Sequence, residues 1–336
     1  MRAARLHGVG DLRVADEPVP EPEPGSSLVR VTAVGICGSD LHWWSEGGIG
    51  DARLDRPLVL GHEAAGVADD GPFQGRRVAI DPAIPCEVCE QCRDGYRNLC
   101  PRVRFAGYGP QDGALREFLA WPSARLHPLP DSLSDADGAL LEPLGVAIHA
   151  LDLGHLRMGG TCAVIGCGPI GLLLVQLARA AGAAHAVAVD PLSHRRDAAL
   201  QAGAEVAVAP EAVSEESGLR DLVGAGVDAA FEMAGTDDAV QLAVRAARPG
   251  SRVMLGGIPG EDWTRFRASV ARRKGLTIAM VRRMNEVYPR AIGLATSRRI
   301  DLTGLVTDRF PLAQTASAFT AAARRGGLKV IVEPNT

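Results

Sequence analysis

The chain is poor in aromatic residues and has no excess of basic charge. Phenylalanine, tryptophan and tyrosine make up 4% of its 336 residues, and 36 lysines and arginines are outweighed by 40 aspartates and glutamates, for a formal net charge of -4. This balance, with no long basic block, excludes an ordinary nucleic-acid-binding protein. A hydrophobic share of 46% against a charged share of 23% excludes a disordered chain.

Long apolar runs are missing as well. No segment reaches the roughly 18 apolar residues that a membrane-spanning helix needs, and residues 1–10 lack the apolar stretch of a secretory signal peptide. We therefore expect a protein without membrane or nucleic-acid partners, located in the cytoplasm. In that compartment the seven cysteines suit metal binding or catalysis better than disulfide formation.

The character of the sequence changes near residue 150, and 336 residues suit about two domains. Before that point, short β-branched runs such as 28–34 and 76–80 are separated by Gly and Pro, which indicates a β-rich part. After it, short apolar segments alternate with helical ones, which predicts an α/β fold with a parallel sheet. The predicted strands are 162–165, 186–189, 206–209, 227–232 and 252–255, and the predicted helices are 169–181, 193–202 and 237–247. A tail with a helix at 313–325 and a strand at 329–332 is expected to return to the first domain.

A glycine-rich turn follows the first strand of the α/β part. It has the pattern G-x-G-x-x-G and consists of Gly166, Cys167, Gly168, Pro169, Ile170 and Gly171. Such a turn lets a pyrophosphate approach the backbone at a helix N-terminus, where free N–H groups attract phosphate. The same glycines would also serve a tight turn without a ligand, so the pattern gains weight only from its surroundings.

Asp190 is the residue that supports a dinucleotide-binding role for this turn. It ends the second predicted strand, 19 residues after Gly171, where a carboxylate accepts hydrogen bonds from the ribose hydroxyls and repels a 2′-phosphate. Turn and acid together predict a Rossmann-type site that prefers NAD to NADP. Arg195 and Arg196 could reach the adenosine side and weaken that preference, or could be solvated helix residues.

Four cysteines lie within fifteen residues, namely Cys86, Cys89, Cys92 and Cys100. Four thiolates at these spacings can surround one zinc ion, and a site with no open position is structural. Its binding free energy would order a loop with little apolar content. An iron–sulfur cluster is the competing interpretation, since C-x2-C-x2-C also occurs in ferredoxins. The spacing favours zinc.

A second set of possible metal ligands is spread along the first part of the chain. Cys37 follows a predicted strand, His62 and Glu63 come 25 and 26 residues later, and Glu142 precedes the change of character. A cysteine, a histidine and one carboxylate would leave one position of a zinc ion open for substrate, as in a catalytic site. Each residue alone suits a core or surface position equally well, so the combination carries the prediction.

Together these motifs resemble the zinc-dependent medium-chain dehydrogenases of the alcohol dehydrogenase superfamily. The segments GICGSDLHWW, GHEAAG, EPLGVAIHA and GCGPIG and the four-cysteine loop have the order and spacing of that family over essentially the whole chain. The polyol branch, with sorbitol, xylitol and L-idonate dehydrogenases, is most similar. The resemblance implies a GroES-like β-rich catalytic domain, residues 1–147 and 283–336, around a Rossmann domain with a doubly wound parallel sheet, residues 148–282.

The resemblance also implies roles for single residues. Cys37 and His62 match the catalytic-zinc ligands of the family, and Glu63 matches the third ligand of sorbitol dehydrogenases. Glu142 stands where other branches place a ligand or, in the polyol branch, a hydrogen-bonding residue beside the metal. Which of the two glutamates binds zinc stays open, and they could exchange during turnover.

Other residues near the first motif have family counterparts too. Ser39 and His42 match the proton-relay positions, and Asp40 matches an acid that orients the ligand histidine. Arg282 and Arg283 stand where polyol dehydrogenases often carry an Arg-Tyr pair, and two arginines suit a carboxylate such as that of a sugar acid. A separate pair, Trp43 and Trp44, is equally suited to lining the substrate channel and to packing at an edge.

The implied reaction transfers a hydride from a secondary alcohol of a polyol or sugar acid to NAD and gives a ketone. It involves one catalytic and one structural zinc ion, and bacterial members of the family are homotetramers or homodimers. Two enzymatic alternatives are an L-threonine 3-dehydrogenase and a general secondary alcohol dehydrogenase. The non-enzymatic alternative is an NAD-binding scaffold protein. A zinc-free quinone reductase is disfavoured, because the cysteine loop and both matched ligands are present.

Overall fold

The computed structural model describes all 336 residues, which divide into two compact units. The first unit consists of Met1–Pro143 and Tyr288–Thr336, and the second of Leu144–Val287. None of the helices combines the length and the apolar character that crossing a bilayer requires.

The first unit is built on β-sheets. Its strands are β1 Arg2–Gly8, β2 Asp11–Asp16, β3 Ser26–Gly35, β4 Gly48–Ile49, β5 Ala52–Arg53, β6 Leu58–Val59, β7 Glu63–Ala68, β8 Arg77–Ile80, β9 Ala83–Ile84, β10 Arg104–Phe105, β11 Phe118–Pro122, β12 Leu126–Pro128, β19 Val306–Pro311 and β20 Lys329–Glu333. Its helices are α1 Gly38–Glu46, α2 Glu90–Arg93, α9 Tyr288–Thr296 and α10 Thr315–Arg324.

The main sheet of this unit has the order β12-β8-β7-β3-β20-β19, and β11 also pairs with β3. Alternate residues of β3 are buried, among them Val29 and Val31, as expected for a strand with one face on a core. Strand β20 pairs with β3 through Val332 and Val34. The C-terminal tail therefore returns to the first sheet, which confirms that prediction.

Helix α3, Asp135–Gly154, begins in the first unit and ends in the second. Its start is capped reciprocally: Ser134 Oγ accepts the Asp137 N–H at 3.1 Å, and Asp137 accepts the Ser134 N–H at 2.8 Å. Pro143 lies inside the helix and removes one backbone donor next to Glu142.

The second unit holds a six-stranded sheet flanked by helices. Its strands are β13 Thr161–Ile165, β14 His185–Val189, β15 Val206–Val208, β16 Val227–Glu232, β17 Ala247–Leu255 and β18 Thr277–Met280. Its helices are α4 Pro169–Ala180, α5 Ser193–Gln201, α6 Glu216–Val223, α7 Asp237–Ala246 and α8 Ala268–Lys274. The order β15-β14-β13-β16-β17-β18, with every pair parallel, is the doubly wound Rossmann arrangement and confirms the predicted fold class.

A half-buried histidine in the first unit makes the stability of this unit depend on pH. The ring of His127 in β12 stacks on Tyr288, with ring centroids 4.4 Å apart, and the Tyr288 hydroxyl donates to the Ile80 carbonyl at 2.9 Å. Burial, helped by the charge of Arg125, lowers the pKa of His127 to about 4. Because this folded pKa lies below the unfolded value of about 6.5, the stability that the neutral ring provides is lost as the pH falls from 6.5 towards 4.

His127→Phe keeps a stacking ring and removes the titration. Between pH 7.5 and pH 5 we expect the wild type to lose about 2 kcal/mol more unfolding free energy than the variant. Urea denaturation at both pH values, with zinc present throughout, measures the difference. The exposed His7 of the same unit, changed to Gln, serves as the control for removing a histidine. An identical loss in wild type and His127→Phe would show that His127 does not titrate as described.

Candidate active site and metal centres

Three possible zinc ligands meet where β3 ends and β7 begins. Cys37 follows β3 and caps α1, His62 directly precedes β7, and Glu63 is the first residue of β7. One ligand atom from each lies within 4.8 Å of the other two. The antiparallel register explains the meeting, because Glu63 pairs with Gly35 and both strands deliver these residues at the same end of the sheet.

Asp40 holds the backbone at Cys37 and the ring of His62. Its buried carboxylate accepts the backbone N–H groups of Cys37 at 3.0 Å and of Gly61 at 3.3 Å. The same carboxylate lies 3.5 Å from Nδ1 of His62. Nε2 is therefore the ring nitrogen left for a metal, an arrangement that often supports metal-bound imidazoles. The structure thus brings Asp40 to the histidine that it was expected to orient.

The electrostatics of this cluster suit a cation. Burial lowers the pKa of His62, but the negative charges of Asp40 and Cys37 outweigh burial and raise that pKa well above its ordinary value. Without metal the ring holds a proton, which a zinc ion can replace. Sulfur, imidazole and carboxylate are ligands that zinc takes in proteins, so these residues fit the metal.

The two candidate glutamates have different surroundings. Glu63 forms a buried ion pair with Lys329, whose Nζ lies 2.8 Å and 2.6 Å from the two carboxylate oxygens and 3.0 Å from the Ile36 carbonyl. Glu142 lies outside the group of three ligand atoms. Burial, with the charges of Glu63 and Asp81, raises the pKa of Glu142 to about 7. Glu142 can therefore hold or release a proton near neutral pH.

The contact of Glu63 with Lys329 depends on a glycine between them. Lys329 lies on β20 and Glu63 on β7, and β3 runs between these strands. A Cβ atom at Gly35 of β3 would overlap Oε2 of Glu63, so only a glycine leaves room for the carboxylate. Sequence reasoning missed Lys329. Its only signal was a lysine at the start of an apolar strand.

The expected relay residues share one face of α1. Ser39 and His42 are three positions apart on this helix, which places neighbours on one face. Nδ1 of His42 lies 3.0 Å from Oε1 of Glu46, one turn further along. Both residues thus lie on the helix whose N-terminus Cys37 caps.

Both tryptophans of α1 pack within the first unit. Trp43 is 2% exposed and meets the Tyr108 ring edge-on, with centroids 5.8 Å apart. Trp44 packs against Phe319 of α10, at 6.0 Å between centroids. Trp43 thus belongs to the core of the first unit, and Trp44 packs against that core.

The four-cysteine loop forms a second group of ligand atoms. The sulfur atoms of Cys86, Cys89, Cys92 and Cys100 all lie within 4.8 Å of one another, and those of Cys89 and Cys100 are 3.8 Å apart. Two thiolates bound tetrahedrally to zinc at about 2.3 Å would lie about 3.8 Å apart, whereas a disulfide bond is about 2.05 Å long. A hydrogen bond from the Val88 backbone helps lower the pKa of Cys86 to about 6, which favours the thiolate. This loop fits a single zinc ion.

The glycine-rich turn has the shape that a dinucleotide needs. Gly166 has a φ of 95°, and a Cβ atom there would lie 2.8 Å from the backbone nitrogen of Ala234. Gly168 caps α4, and Pro169 occupies its first turn, followed by Ile170 and Gly171. The N-terminus of α4 therefore opens directly after the turn, where phosphates bind.

Asp190 is tied to this turn. Its buried carboxylate accepts the Cys167 N–H at 2.8 Å and the Leu192 N–H at 2.9 Å. Arg195 approaches the turn, with Nη1 3.8 Å from the position of a Cβ atom at Gly168. Arg196 instead donates to the backbone carbonyl of Asp190 at 2.9 Å. One arginine thus lies near the phosphate position, and the other holds the backbone.

Comparison with known proteins shows which family has this fold and these motifs. The family model described as alcohol dehydrogenase GroES-like domain matches residues 23–131, and the model described as zinc-binding dehydrogenase matches residues 169–297. A sorbitol dehydrogenase of Macaca fascicularis is 37% identical, with 98% of this chain and 95% of that protein aligned.

Solved structures agree. L-idonate 5-dehydrogenase from Escherichia coli str. K-12 substr. MG1655 has a TM-score of 0.92 at 26% identity, covering 99% of this chain and 98% of that one. A protein from Sinorhizobium meliloti 1021, described as a zinc-binding dehydrogenase bound to NADP, has a TM-score of 0.90 at 31% identity, covering 99% of both chains. The chain therefore belongs to the zinc-dependent medium-chain dehydrogenases, the family that its motifs resemble.

Proposed function

We propose that this chain is a zinc-dependent dehydrogenase that oxidises a secondary hydroxyl group of a polyol or sugar acid to a ketone with NAD. The Cys37–His62–Glu63 cluster carries the proposal, since it offers a zinc site in a chain that also has a dinucleotide-binding turn. Similarity to sorbitol dehydrogenase and to L-idonate 5-dehydrogenase supports the substrate class. Arg282 and Arg283, which follow β18, suit the carboxylate of a sugar acid.

Each of the two predicted domains has its own task in this proposal. Residues 1–147 and 283–336 form the catalytic domain, and residues 148–282 bind NAD. Cys37, His62 and Glu63 hold the catalytic zinc ion, and the four-cysteine loop holds a structural one. When bound, the catalytic metal supplies a Lewis acid that lowers the pKa of the alcohol, and the nicotinamide accepts the hydride.

The protein's own groups orient this chemistry and move the proton. The carboxylate of Asp40 lies 3.5 Å from Nδ1 of His62. It therefore keeps the other ring nitrogen, Nε2, directed toward the metal site. Ser39 and His42, on one face of α1, offer a path for the proton that the substrate releases. Glu142, with its pKa raised to about 7, adds a second proton acceptor near the cluster.

The carboxylate of Asp190 supports NAD in preference to NADP. It is already oriented by two backbone N–H groups, so it meets the ribose as a fixed negative charge. Arg195 acts against strict selectivity, because its guanidinium would attract a 2′-phosphate.

A substrate and metal assay tests the proposal. The purified protein, analysed for zinc, is incubated with NAD or NADP and with sorbitol, xylitol, L-idonate, L-threonine and simple secondary alcohols, beside a chelator-treated control. We expect about two zinc ions per chain and chelator-sensitive formation of reduced cofactor on a polyol or sugar acid, faster with NAD. Turnover of L-threonine alone would show that the substrate is an amino alcohol and not a polyol or sugar acid. Absence of both zinc and turnover would favour an NAD-binding scaffold.

We also infer a homotetramer or homodimer. Strand β18 forms one edge of the parallel sheet, and Met280 at its end is 65% exposed. Trp263, 70% exposed, adds to the apolar surface of this unit. An unpaired edge of this kind can pair with a second copy of the chain. Light scattering measures the oligomeric state, and a monomer at working concentration would contradict this inference.

A further inference from the structure

A buried glutamate in the second unit has no part in the reaction described so far. Glu232 is the last residue of β16 and is 1% exposed. Its Oε1 accepts the backbone N–H groups of Ala234 at 2.7 Å and of Gly235 at 2.6 Å. Burial raises its pKa even though hydrogen bonds from the backbone act to lower it. The main-chain carbonyl of Glu232 accepts the N–H groups of Gly256 at 2.8 Å and of Gly257 at 3.2 Å. Glu232 therefore holds the loop after β16 through its carboxylate and the loop after β17 through its backbone.

These two loops lie at a defined place in the Rossmann sheet. Strand β13 is flanked by β14 on one side and β16 on the other, so the strand order reverses there. In doubly wound sheets a dinucleotide lies across the carboxyl ends of the strands at this reversal. Asp190, after β14, marks the adenosine side. The loops after β16 and β17 therefore lie on the side of the nicotinamide half.

The loop after β16 also packs directly on the glycine-rich turn. Its backbone at Met233 and Ala234 is so close to Gly166 that a Cβ atom there would lie 2.8–2.9 Å from them. Residue 257 is just as confined, since a Cβ atom at Gly257 would overlap Gly235 and lie 2.8 Å from Oε1 of Glu232. The three loops form one closely packed layer, and Glu232 supplies the hydrogen-bond acceptor within it.

We propose that Glu232 is a positioning residue for the nicotinamide half of the cofactor, an inference that rests on the proposed use of NAD. Its carboxylate acts through the loop after β16, against which Gly257 of the next loop packs. Without the carboxylate, the N–H groups of Ala234 and Gly235 lose their common acceptor, and this loop would seek another arrangement. The adenosine half keeps its own supports, the N-terminus of α4 and Asp190.

Calorimetric titration of two ligands tests this role. NADH contains both halves of the cofactor, whereas ADP-ribose lacks the nicotinamide. For Glu232→Ala we expect NADH to bind about 10–100-fold more weakly, while the affinity for ADP-ribose changes by less than about 3-fold. Glu232→Gln keeps one oxygen acceptor for Ala234 and Gly235 and should recover most of the NADH affinity. The KM for NAD should rise in the same order.

Controls separate this role from a general loss of folding. The exposed Glu205, on the same unit and paired with His185, is changed to Gln as a matched variant and should bind both ligands as the wild type does. Equal weakening of NADH and ADP-ribose in Glu232→Ala, or unchanged affinity for both in that variant, would overturn the positioning role. A Glu232→Gln variant that binds NADH as weakly as Glu232→Ala would overturn it as well, because an oxygen acceptor is then present without effect. Where Glu232→Ala does not fold, Glu232→Asp takes its place, because the shorter side chain withdraws the acceptor from Ala234 and Gly235. A wild-type chain that binds ADP-ribose but no NADH would overturn the proposed function itself.

Discussion

Replacement of His62 by alanine is expected to abolish turnover without impairing cofactor binding. The ring is one of the three proposed ligands in its cluster, and its loss leaves only Cys37 and Glu63 to hold a metal ion. We expect kcat/KM to fall by at least about 10⁴-fold, equivalent to about 5.5 kcal/mol of transition-state stabilisation. Zinc should fall from about two ions per chain to about one, because the four-cysteine loop keeps its own.

Three measurements on the same preparation check this result: zinc content, kcat/KM with the substrate found in the panel, and the Kd of NADH. His185→Ala is the matched control, since this exposed imidazole lies on the other unit and pairs with Glu205. It should keep both zinc ions and full turnover. Wild-type activity in His62→Ala would move the catalytic site elsewhere, and a lost NADH affinity would show that the substitution damages more than the metal cluster.

The second unit was the easier part to predict from sequence. Its strands β13, β14 and β16 are short, largely buried apolar runs, so pattern alone locates them. The predicted strand 227–232 is the observed β16, and the predicted helix 237–247 differs from α7 by one residue. Three elements were missed, namely α6, α8 and β18. Each has at most eight residues, fewer than the roughly 11–18 over which an apolar period is recognised.

In the first unit, motifs identified residues that secondary-structure patterns could not place. Cys37, His62 and Glu63 were grouped by their chemistry, and the sheet register then brought them together. Helix α1 was not predicted, because its nine residues include adjacent bulky and polar side chains without a clear apolar stripe. Trp43 and Trp44 show the same limit: a sequence gives their size and apolar character but not the neighbours that bury them.

The buried ion pair of Glu63 and Lys329 is the part of the site that no local pattern contains. The partners are 266 positions apart in sequence, and only the strand order β7-β3-β20 with a glycine between them makes the contact possible. The lysine changes the electrostatics of the cluster, because its charge opposes those of Glu63, Cys37 and Glu142. It also competes with a metal ion for the carboxylate of Glu63.

Lys329→Met should therefore destabilise the protein in a way that depends on zinc. Removing the lysine leaves Glu63 buried without a counter-charge, which costs about 3–5 kcal/mol of unfolding free energy in comparable pairs. That cost should appear in full when the catalytic site holds no metal. With zinc bound, the carboxylate gains a new positive partner, so the loss should shrink by at least about half and the zinc affinity of this site should rise.

Urea denaturation of wild type and variant, each with and without zinc at the catalytic site, measures both effects. Lys274→Met is a matched control, because this ammonium donates to backbone carbonyls in the other unit and its loss should cost the same with or without zinc. The comparison also decides between the two glutamates. A zinc-dependent rescue of Lys329→Met identifies Glu63 as the third ligand, since only a carboxylate that binds the metal can exchange one positive partner for another. A loss that zinc does not change would leave Glu63 unbound and make Glu142 the ligand.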